Sequence, residues 1–550
     1  MEQTLKPSTE VLIVGAGPTG LMMACQLAIH KVSFRIIDKK DSPSANSGAL
    51  IVQARTLEIF RQLGIASEAI SKGIVADEID ILYDAKKIAG TSIKNIGENL
   101  TQFPFLLMLE QSETEKLLLK FLNDRGHSLE RGVIFKSFVQ GKNKISTDVF
   151  MPDGSAQTIE SDFIIGADGS NSAIRNFLNI PFEGKTYPKP IFILDCSANT
   201  EIRSGAISIA FTKKSVAGFF PLRNKRWRVD GSFPKTIKTS DRISLETIIN
   251  GNQDLNSLNF NIQDTEWFSV SHSQQKYART IRVGNCFLAG DSAHVHTPVG
   301  AQGMNTGIQD AHNLAWKLAL VLKQRAKPEL LDSYSSERLG VSKGFARYSD
   351  VVFKMVTSAN PAVRLFRTSV LKFFFMKIFP KLANKEESRL KFFKSISQIG
   401  IRYQSDFPTE KDDEKKFFNG SPKPGCRFPF ADFIYNQNQT NSHEILDPTR
   451  FTILVFAQEL TPEIKSLSKK YNLKVVLINK LPETEKLYTM LGIRFSGYYL
   501  IRPDAYIALR SATMNSSQLS KFLEHLLMPI HYAPVKIKKE LARKSLSFTK

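Results

Sequence analysis

Cysteine is scarce in this chain. Cys25, Cys196, Cys286 and Cys426 are the only four among 550 residues, and no two form a CxxC pair or stand at metal-ligand spacing. That pattern excludes a disulfide framework and suits a reducing, cytoplasmic setting. Long apolar runs are missing too: no window reaches the roughly 18 uncharged apolar residues of a membrane span. The apolar stretch 21–29 imitates a signal-peptide core, but a glycine turn precedes it and a strand follows, so it reads as an internal helix. Acidic residues are in deficit, 53 against 74 Lys and Arg, for a net charge of +21. The basic residues run along the whole length without an RNA-binding or helix-turn-helix signature, so no nucleic-acid partner is expected. One stretch, 364–381, mixes Leu365, Phe366, Val370 and Leu371 with Arg364, Arg367 and Lys372. It reads first as a helix packed on its own protein and second as a peripheral membrane contact.

What is present is ordinary globular material in quantity. Hydrophobic content is 42%, and 550 residues exceed one ordinary core, so two to four domains are expected. The most informative segment is Gly15-Ala16-Gly17-Pro18-Thr19-Gly20, placed directly after Val11-Leu12-Ile13-Val14 and before Ile36-Ile37-Asp38. This is a dinucleotide-binding βαβ pattern. Gly15 permits the tight turn, Gly17 lets the backbone approach a pyrophosphate, and Gly20 lets helix pack on strand. The phosphates then meet a helix N-terminus. Asp38, roughly 20 residues on, can accept ribose hydroxyls.

Further along, 55–63 reads as a helix ending near Gly64. Ser112-Glu113-Thr114-Glu115 reads as a capping box before an apolar helix closed by Gly126. Segments 144–150 and 156–160 flank a Pro-Asp-Gly turn and read as a hairpin. Alternating short segments and aromatics from about 181 to 277 suggest an antiparallel sheet. Positions 303–322 carry apolar residues at helical spacing. The charged stretch 407–426 reads as a linker, and strands near 451–456, 474–478 and 497–501 suggest a small α/β domain after it.

Two more motifs complete a set of three. One is Gly166-Ala167-Asp168-Gly169-Ser170-Asn171-Ser172-Ala173-Ile174-Arg175. The other runs Ala289-Gly290-Asp291-Ser292-Ala293-His294, then Pro298, Gly300, Gln302, Gly303, Met304, Asn305, Thr306, Gly307, Ile308, Gln309 and Asp310. Together with the glycine turn they closely resemble the single-component flavoprotein aromatic hydroxylases, a family that includes para-hydroxybenzoate hydroxylase, phenol hydroxylase and the polyketide hydroxylases. The resemblance covers nearly the whole chain. It implies an α/β protein: a Rossmann-like FAD-binding domain (1–180 and 280–400, with part of the substrate sheet near 78–110) and an inserted antiparallel-sheet substrate domain (181–279). A linker (401–426), a thioredoxin-like C-terminal domain (427–535) and a basic tail (536–550) follow. That last domain lacks a CxxC pair, which argues against redox activity there.

The resemblance also assigns roles. Asp291 would accept hydrogen bonds from the FAD ribitol, and Gln111 would contact the ribitol and phosphate region. Asp168 and Arg175 match a motif associated with both FAD and NADPH. Gly303, Met304 and Asn305 would present backbone N–H groups to the flavin pyrimidine edge, where a helix N-terminus favours developing negative charge. Pro298 would shape the loop beside the flavin where oxygen reacts. His294 and His296 lack a third ligand, so no metal is expected. Phe219, Phe220 and Arg223 are candidates for the substrate pocket. The implied activity is NAD(P)H-dependent hydroxylation of a phenolic or polyketide-type aromatic through a flavin C4a-hydroperoxide. The alternatives are another FAD oxidoreductase of the same fold (epoxidase, tetracycline-type hydroxylase or halogenase) or a non-catalytic flavin scaffold. The partners are the aromatic substrate and dioxygen, and a homodimer is open. The chain departs from the family at Gly48, where many relatives carry arginine (Arg55 or Lys39 could supply that charge), and at Thr297, Ala301 and Leu339-Gly340. The base that activates a phenol is not readable.

Overall fold

The computed structural model describes residues 8–43, 48–142, 144–211, 216–232, 258–297, 301–357, 373–378, 385–405 and 409–530. The tail from 531 and most of 364–381 lie outside these residues. The fold is mixed α/β. At its centre is a six-stranded sheet in the order Arg282–Val283, Cys286–Leu288, Phe163–Gly166, Val11–Val14, Phe34–Asp38, Glu130–Arg131. All pairs are parallel except the first. Val11–Val14 and Phe163–Gly166 are buried along their whole length, as strands covered on both faces must be.

The helix Pro18–Ile29 starts on Pro18 and packs against the helix Gly303–Leu322. Its apolar residues Leu21 to Leu27 are core residues. A three-stranded antiparallel sheet, Ile134–Gln140, Ile145–Phe150 and Ala156–Ser161, contains the expected hairpin. Ala54–Leu63 ends at Gly64 with φ 78°, the left-handed cap expected there. The helix Gln111–Asn123 corrects the capping-box reading. Its N-cap is Glu110 with no side-chain cap bond, and Glu115 instead accepts from Gln111 Nε2 at 2.8 Å.

An eight-stranded sheet stands over this core. Its order is His294–Val295, Asn261–Ala278, Phe182–Asn199, Arg226–Ser232, Val216–Pro221, Ala206–Phe211, Glu78–Tyr83, Lys86–Ser92. Its two faces differ. Phe192, Leu194, Cys196, Ala217, Phe219, Trp227 and Val229 form their own apolar cluster on one side. The alternate residues point back toward the first core, as the period of two requires.

Near the C-terminus, Lys474–Ile478, Thr452–Phe456, Gly497–Ile501 and Ile507–Ser511 make a four-stranded sheet in that order. The stretch read as a linker is packed: Phe417 belongs to this sheet's core, and Tyr403 stacks on Tyr506 at 4.3 Å. All four cysteines are free thiols. Among the described residues, no helix is long and apolar enough to cross a membrane.

Candidate active site

The three glycines of the turn are required for three different reasons. Gly15 has φ +105°, and a β-carbon there would stand 2.3 Å from the Ala167 carbonyl oxygen. A β-carbon on Gly20 would stand 1.9 Å from the Gly15 carbonyl oxygen. Gly17 has nothing within 4 Å, so its backbone is open to an approaching group. Asp38 closes the turn. Its Oδ2 accepts from the Ala16 N–H at 2.6 Å and its Oδ1 from the Lys40 N–H at 2.9 Å. A carboxylate has further lone pairs, so both oxygens keep capacity for hydroxyl donors.

The three motifs meet here. Asp168 lies against Gly15, its Cα 2.8 Å from where a Gly15 side chain would begin. Its Oδ2 accepts from the Ala173 and Ile174 N–H groups at 2.6 and 3.2 Å, while Oδ1 is buried without a partner. Burial raises this carboxyl above the usual range. Arg175 donates to the Ser170 carbonyl at 2.7 Å and the Ser292 carbonyl at 3.0 Å, with its guanidinium 3.8 Å from the Phe182 ring centre. It therefore ties the second motif to the third, and burial lowers its affinity for its proton.

Gly290, at φ +63°, starts the turn Gly290–Ser292. Asp291 is the middle residue of that turn. Its surface is exposed, yet protein crowds round it, and this loss of water raises its carboxyl, with Asp310 adding to the rise against His294. Behind it, Asp310 accepts from the Gly290 N–H at 3.0 Å, His294 Nε2 at 2.6 Å and Arg338 Nε at 2.6 Å. Burial would raise Asp310, but His294 and Arg338 outweigh it and hold the carboxyl down to about 2. Sequence reading passed over Asp310 as a site residue although it closes the third motif.

Gly303, Met304 and Asn305 occupy the first three positions of their helix, whose N–H groups have no partner within the helix. A β-carbon on Gly303 would meet nothing within 4 Å. The Asn305 side chain, however, is spent on the protein. Its Oδ1 accepts from the Gln53 N–H and Thr56 Oγ1 at 2.9 and 2.7 Å, and its Nδ2 donates to the Ile51 and Ala301 carbonyls at 2.8 and 2.9 Å. Its amide has no valence left, so only its backbone can face a ligand. Gln111 Oε1 accepts from the Ala49 N–H at 3.1 Å and so holds the segment after Gly48. Pro298 and Gly300 lie outside the described residues.

Three further sequence expectations need correction. Arg55 is not free to supply a charge to a phosphate. It is buried, bonds Glu58 at 2.9 Å and donates to the Asp504 carbonyl at 2.6 Å. Phe219 packs among Phe260 and Trp227 on the far face of the large sheet. Arg223 is exposed and donates to the Ser71 carbonyl. On the near face, Phe220 packs on the first core, and Arg228 reaches the Gly48 carbonyl at 3.4 Å while pairing with Asp195 at 2.7 and 2.6 Å.

The buried polar atom of Asp168, the open backbone at Gly17 and the free first turn at Gly303 fit a dinucleotide with a long polar chain. Comparisons with known proteins agree. A family model described as FAD binding domain matches residues 8–349. A 6-methylpretetramide 4-monooxygenase of Streptomyces rimosus is 28% identical over 96% of this chain and 95% of its own length. An aromatic compound monooxygenase, YhjG, of Bacillus subtilis (strain 168) is 30% identical over 91% of this chain and 93% of its own. Among solved structures, a complex of aklavinone-11 hydroxylase with FAD and aklavinone has TM-score 0.77 at 21% identity, covering 94% of this chain and 98% of that one. The flavin-dependent monooxygenase PieE with FAD and substrate has TM-score 0.76 at 20% identity, covering 94% and 99%. This chain belongs to the FAD-binding-domain family of flavin-dependent monooxygenases.

Proposed function

We propose that this monooxygenase uses NAD(P)H and dioxygen to hydroxylate a phenolic or polyketide-type aromatic compound. The observation that carries this reading is the meeting of the three motif loops, Gly15 against Asp168, Thr19 against Gly290 and Arg175 on the Ser292 carbonyl, with Phe220 and Arg228 reaching from the eight-stranded sheet to the same core. When bound, FAD supplies the redox chemistry and the activation of dioxygen. The residues do the rest. Gly17 and the first turn after it receive the pyrophosphate. Asp38 accepts the ribose hydroxyls, and Asp291 accepts those of the ribitol. Asp168, pinned by the Ala173 and Ile174 N–H groups, keeps Oδ1 without a protein partner. Arg175 fixes the loops that carry Asp168 and Asp291. The N–H groups of Gly303, Met304 and Asn305 meet the electron-rich edge of the ring system. Pro298 shapes the loop beside it. Packing of Phe220 against the FAD-binding core helps to exclude water from the reacting centre.

The division proposed for the chain is 1–180 with 280–400 for FAD, 181–279 inserted for substrate, and 427–535 thioredoxin-like, with the connecting 401–426 packed on that last part. The order of the last four strands, with helices Pro462–Lys470 and Ser516–Leu526, supports that final reading. No CxxC stands in it, which argues against redox activity there. Cytoplasmic placement is part of the same reading.

The test is direct. Purified protein should be yellow, and a phenol panel should speed NADPH oxidation while hydrogen peroxide stays low. One oxygen atom from isotopically labelled dioxygen should enter the product. Colourless protein that does not take up FAD, or oxidation that yields only peroxide with every phenol and polyketide offered, would overturn the reading.

A further inference from the structure

A ring hydroxyl must lose its proton for the ring to become a strong nucleophile, so the near face of the large sheet needs an acceptor. Asp230 stands on the strand Arg226–Ser232. Its neighbours across the sheet are Ile193 on one side and Gly218 on the other. It shares its face with Arg228, two residues back, which reaches the Gly48 carbonyl of the FAD-binding core. The side chain therefore points from the large sheet toward the side of the FAD-binding core, not into the aromatic cluster behind. Its Oδ1 is buried with no hydrogen-bond partner, while the rest of the side chain is only half-buried. Gly218 contributes no side chain beside it, and the Phe220 ring occupies that flank at 2.8 Å from where a Gly218 β-carbon would begin. A buried carboxylate atom with no hydrogen-bond partner is costly unless a ligand completes it.

We propose that Asp230 is the proton acceptor for the ring hydroxyl of the substrate. The O–H bond of the hydroxyl breaks, its electron pair stays on the ring oxygen, and the proton passes to Asp230 Oδ1. The carboxyl returns that proton to solvent when product leaves. The surrounding charges permit this. Burial pushes the Asp230 carboxyl up to about 7; Arg228 opposes that rise and Asp195 adds to it. Arg228 spends its fork on Asp195, and the other flanking strand offers only Gly218 and Phe220. A base near the working pH combines ionisation with proton affinity.

This role presupposes the phenolic substrate given above, and the experiment separates the two. The probes are phenol, resorcinol and 4-hydroxybenzoate. Their binding to the oxidised holoenzyme is followed by perturbation of the flavin spectrum from pH 5 to 9, and turnover by NADPH oxidation. Wild type should bind more tightly as pH rises through about 7, where the acceptor forms. Asp230→Asn should retain FAD, lose that inflection, and lose about 10²–10⁴-fold in kcat near neutrality. Its rate should recover as pH approaches the phenol's own ionisation, and Asp230→Glu should restore part of the neutral rate. An inflection and rates shared by wild type and Asp230→Asn would overturn the assignment alone, as would a wild-type profile without an inflection. Failure of every probe to bind or react with wild type would overturn the phenolic reading and Asp230's role with it.

Discussion

Thr19 fills the space that a side chain on Gly307 would need. Its Oγ1 lies 2.2 Å from where a β-carbon on Gly307 would be, and 2.4 Å from the same point on Gly290. The first motif thus packs directly on the third, and two helices close on each other at that point. Gly307→Ala should overpack this contact, costing about 1–3 kcal/mol. Urea denaturation of the apoprotein and FAD content after purification both measure it, and an unchanged midpoint with full flavin would show that the helices can part freely.

The glycine turn predicts a contrast within five residues. Gly17→Ala should leave apoprotein stability nearly unchanged, because nothing stands within 4 Å of the new methyl group. The same variant should bind FAD more weakly, since the methyl intrudes where the pyrophosphate approaches. Gly20→Ala, with its β-carbon 1.9 Å from the Gly15 carbonyl oxygen, should destabilise the protein itself. Flavin titration beside thermal melting distinguishes the two behaviours.

Asp291 and Asp310 are neighbours with different work. Asp291→Ala should weaken FAD retention by removing a ribitol acceptor while hardly moving the apoprotein's melting temperature. Asp310→Ala leaves Arg338 and His294 buried without their carboxylate, and should cost about 3–5 kcal/mol whether or not FAD is present. Equal flavin content in Asp291→Ala and wild type would show that the ribitol lies elsewhere.

Glu337 joins the C-terminal region to the rest. It accepts from Lys317 at 2.8 Å, Asn313 at 2.6 Å, and Arg502 at 2.5 and 3.0 Å. Burial would raise this carboxyl, but Arg502 and Lys317 hold it well below the usual range. Glu337→Ala should lose about 3–5 kcal/mol, because buried Lys317 keeps no carboxylate partner and Arg502 is left with Asp504 alone. Limited proteolysis should then release the C-terminal region, and a resistant variant would argue that this cluster does not hold it.

Acid should destabilise the fold from near neutrality. Burial pushes four imidazoles down, His30 to about 4 and His296, His312 and His443 to about 3. Unfolded chains take up protons from about pH 6.5 downward and the folded chain does not, so stability present above pH 6.5 is lost as pH falls toward those values. Each contributes at most about 1.4 kcal/mol per pH unit in its window. His312, bonded to Gln62 at 2.7 Å, is the one to replace. His312→Gln should flatten the fall in melting temperature between pH 6.5 and 4, and an unchanged slope would remove His312 from the account.

Local backbone chemistry made much of the site readable. A turn with glycine at three positions after an apolar strand has one good use, and Gly15, Gly17 and Gly20 keep three distinct steric roles in the structure. Asp38 stands at the end of its strand for the same reason. Side-chain directions that depend on distant packing were not legible. Asn305 is expected to offer its backbone N–H, and nothing local says that its amide turns to Gln53, Thr56 and Ile51, roughly 250 residues earlier. Arg55, a candidate for a phosphate contact, turns to Glu58 and the Asp504 carbonyl. Phe219 and Phe220 are adjacent, so one necessarily faces the aromatic cluster and the other the FAD side; register chose which.

The chain on its own settled the cofactor class and the strand-turn-helix that receives it, because those depend on residues close in sequence and on backbone freedom. Tertiary structure alone decided that Thr19, Asp168, Gly290 and Gly307 share one place, and that Asp230 faces inward. Such meetings depend on sheet order and on which side of each strand is buried, and a single residue of slip would reverse every orientation along the wall.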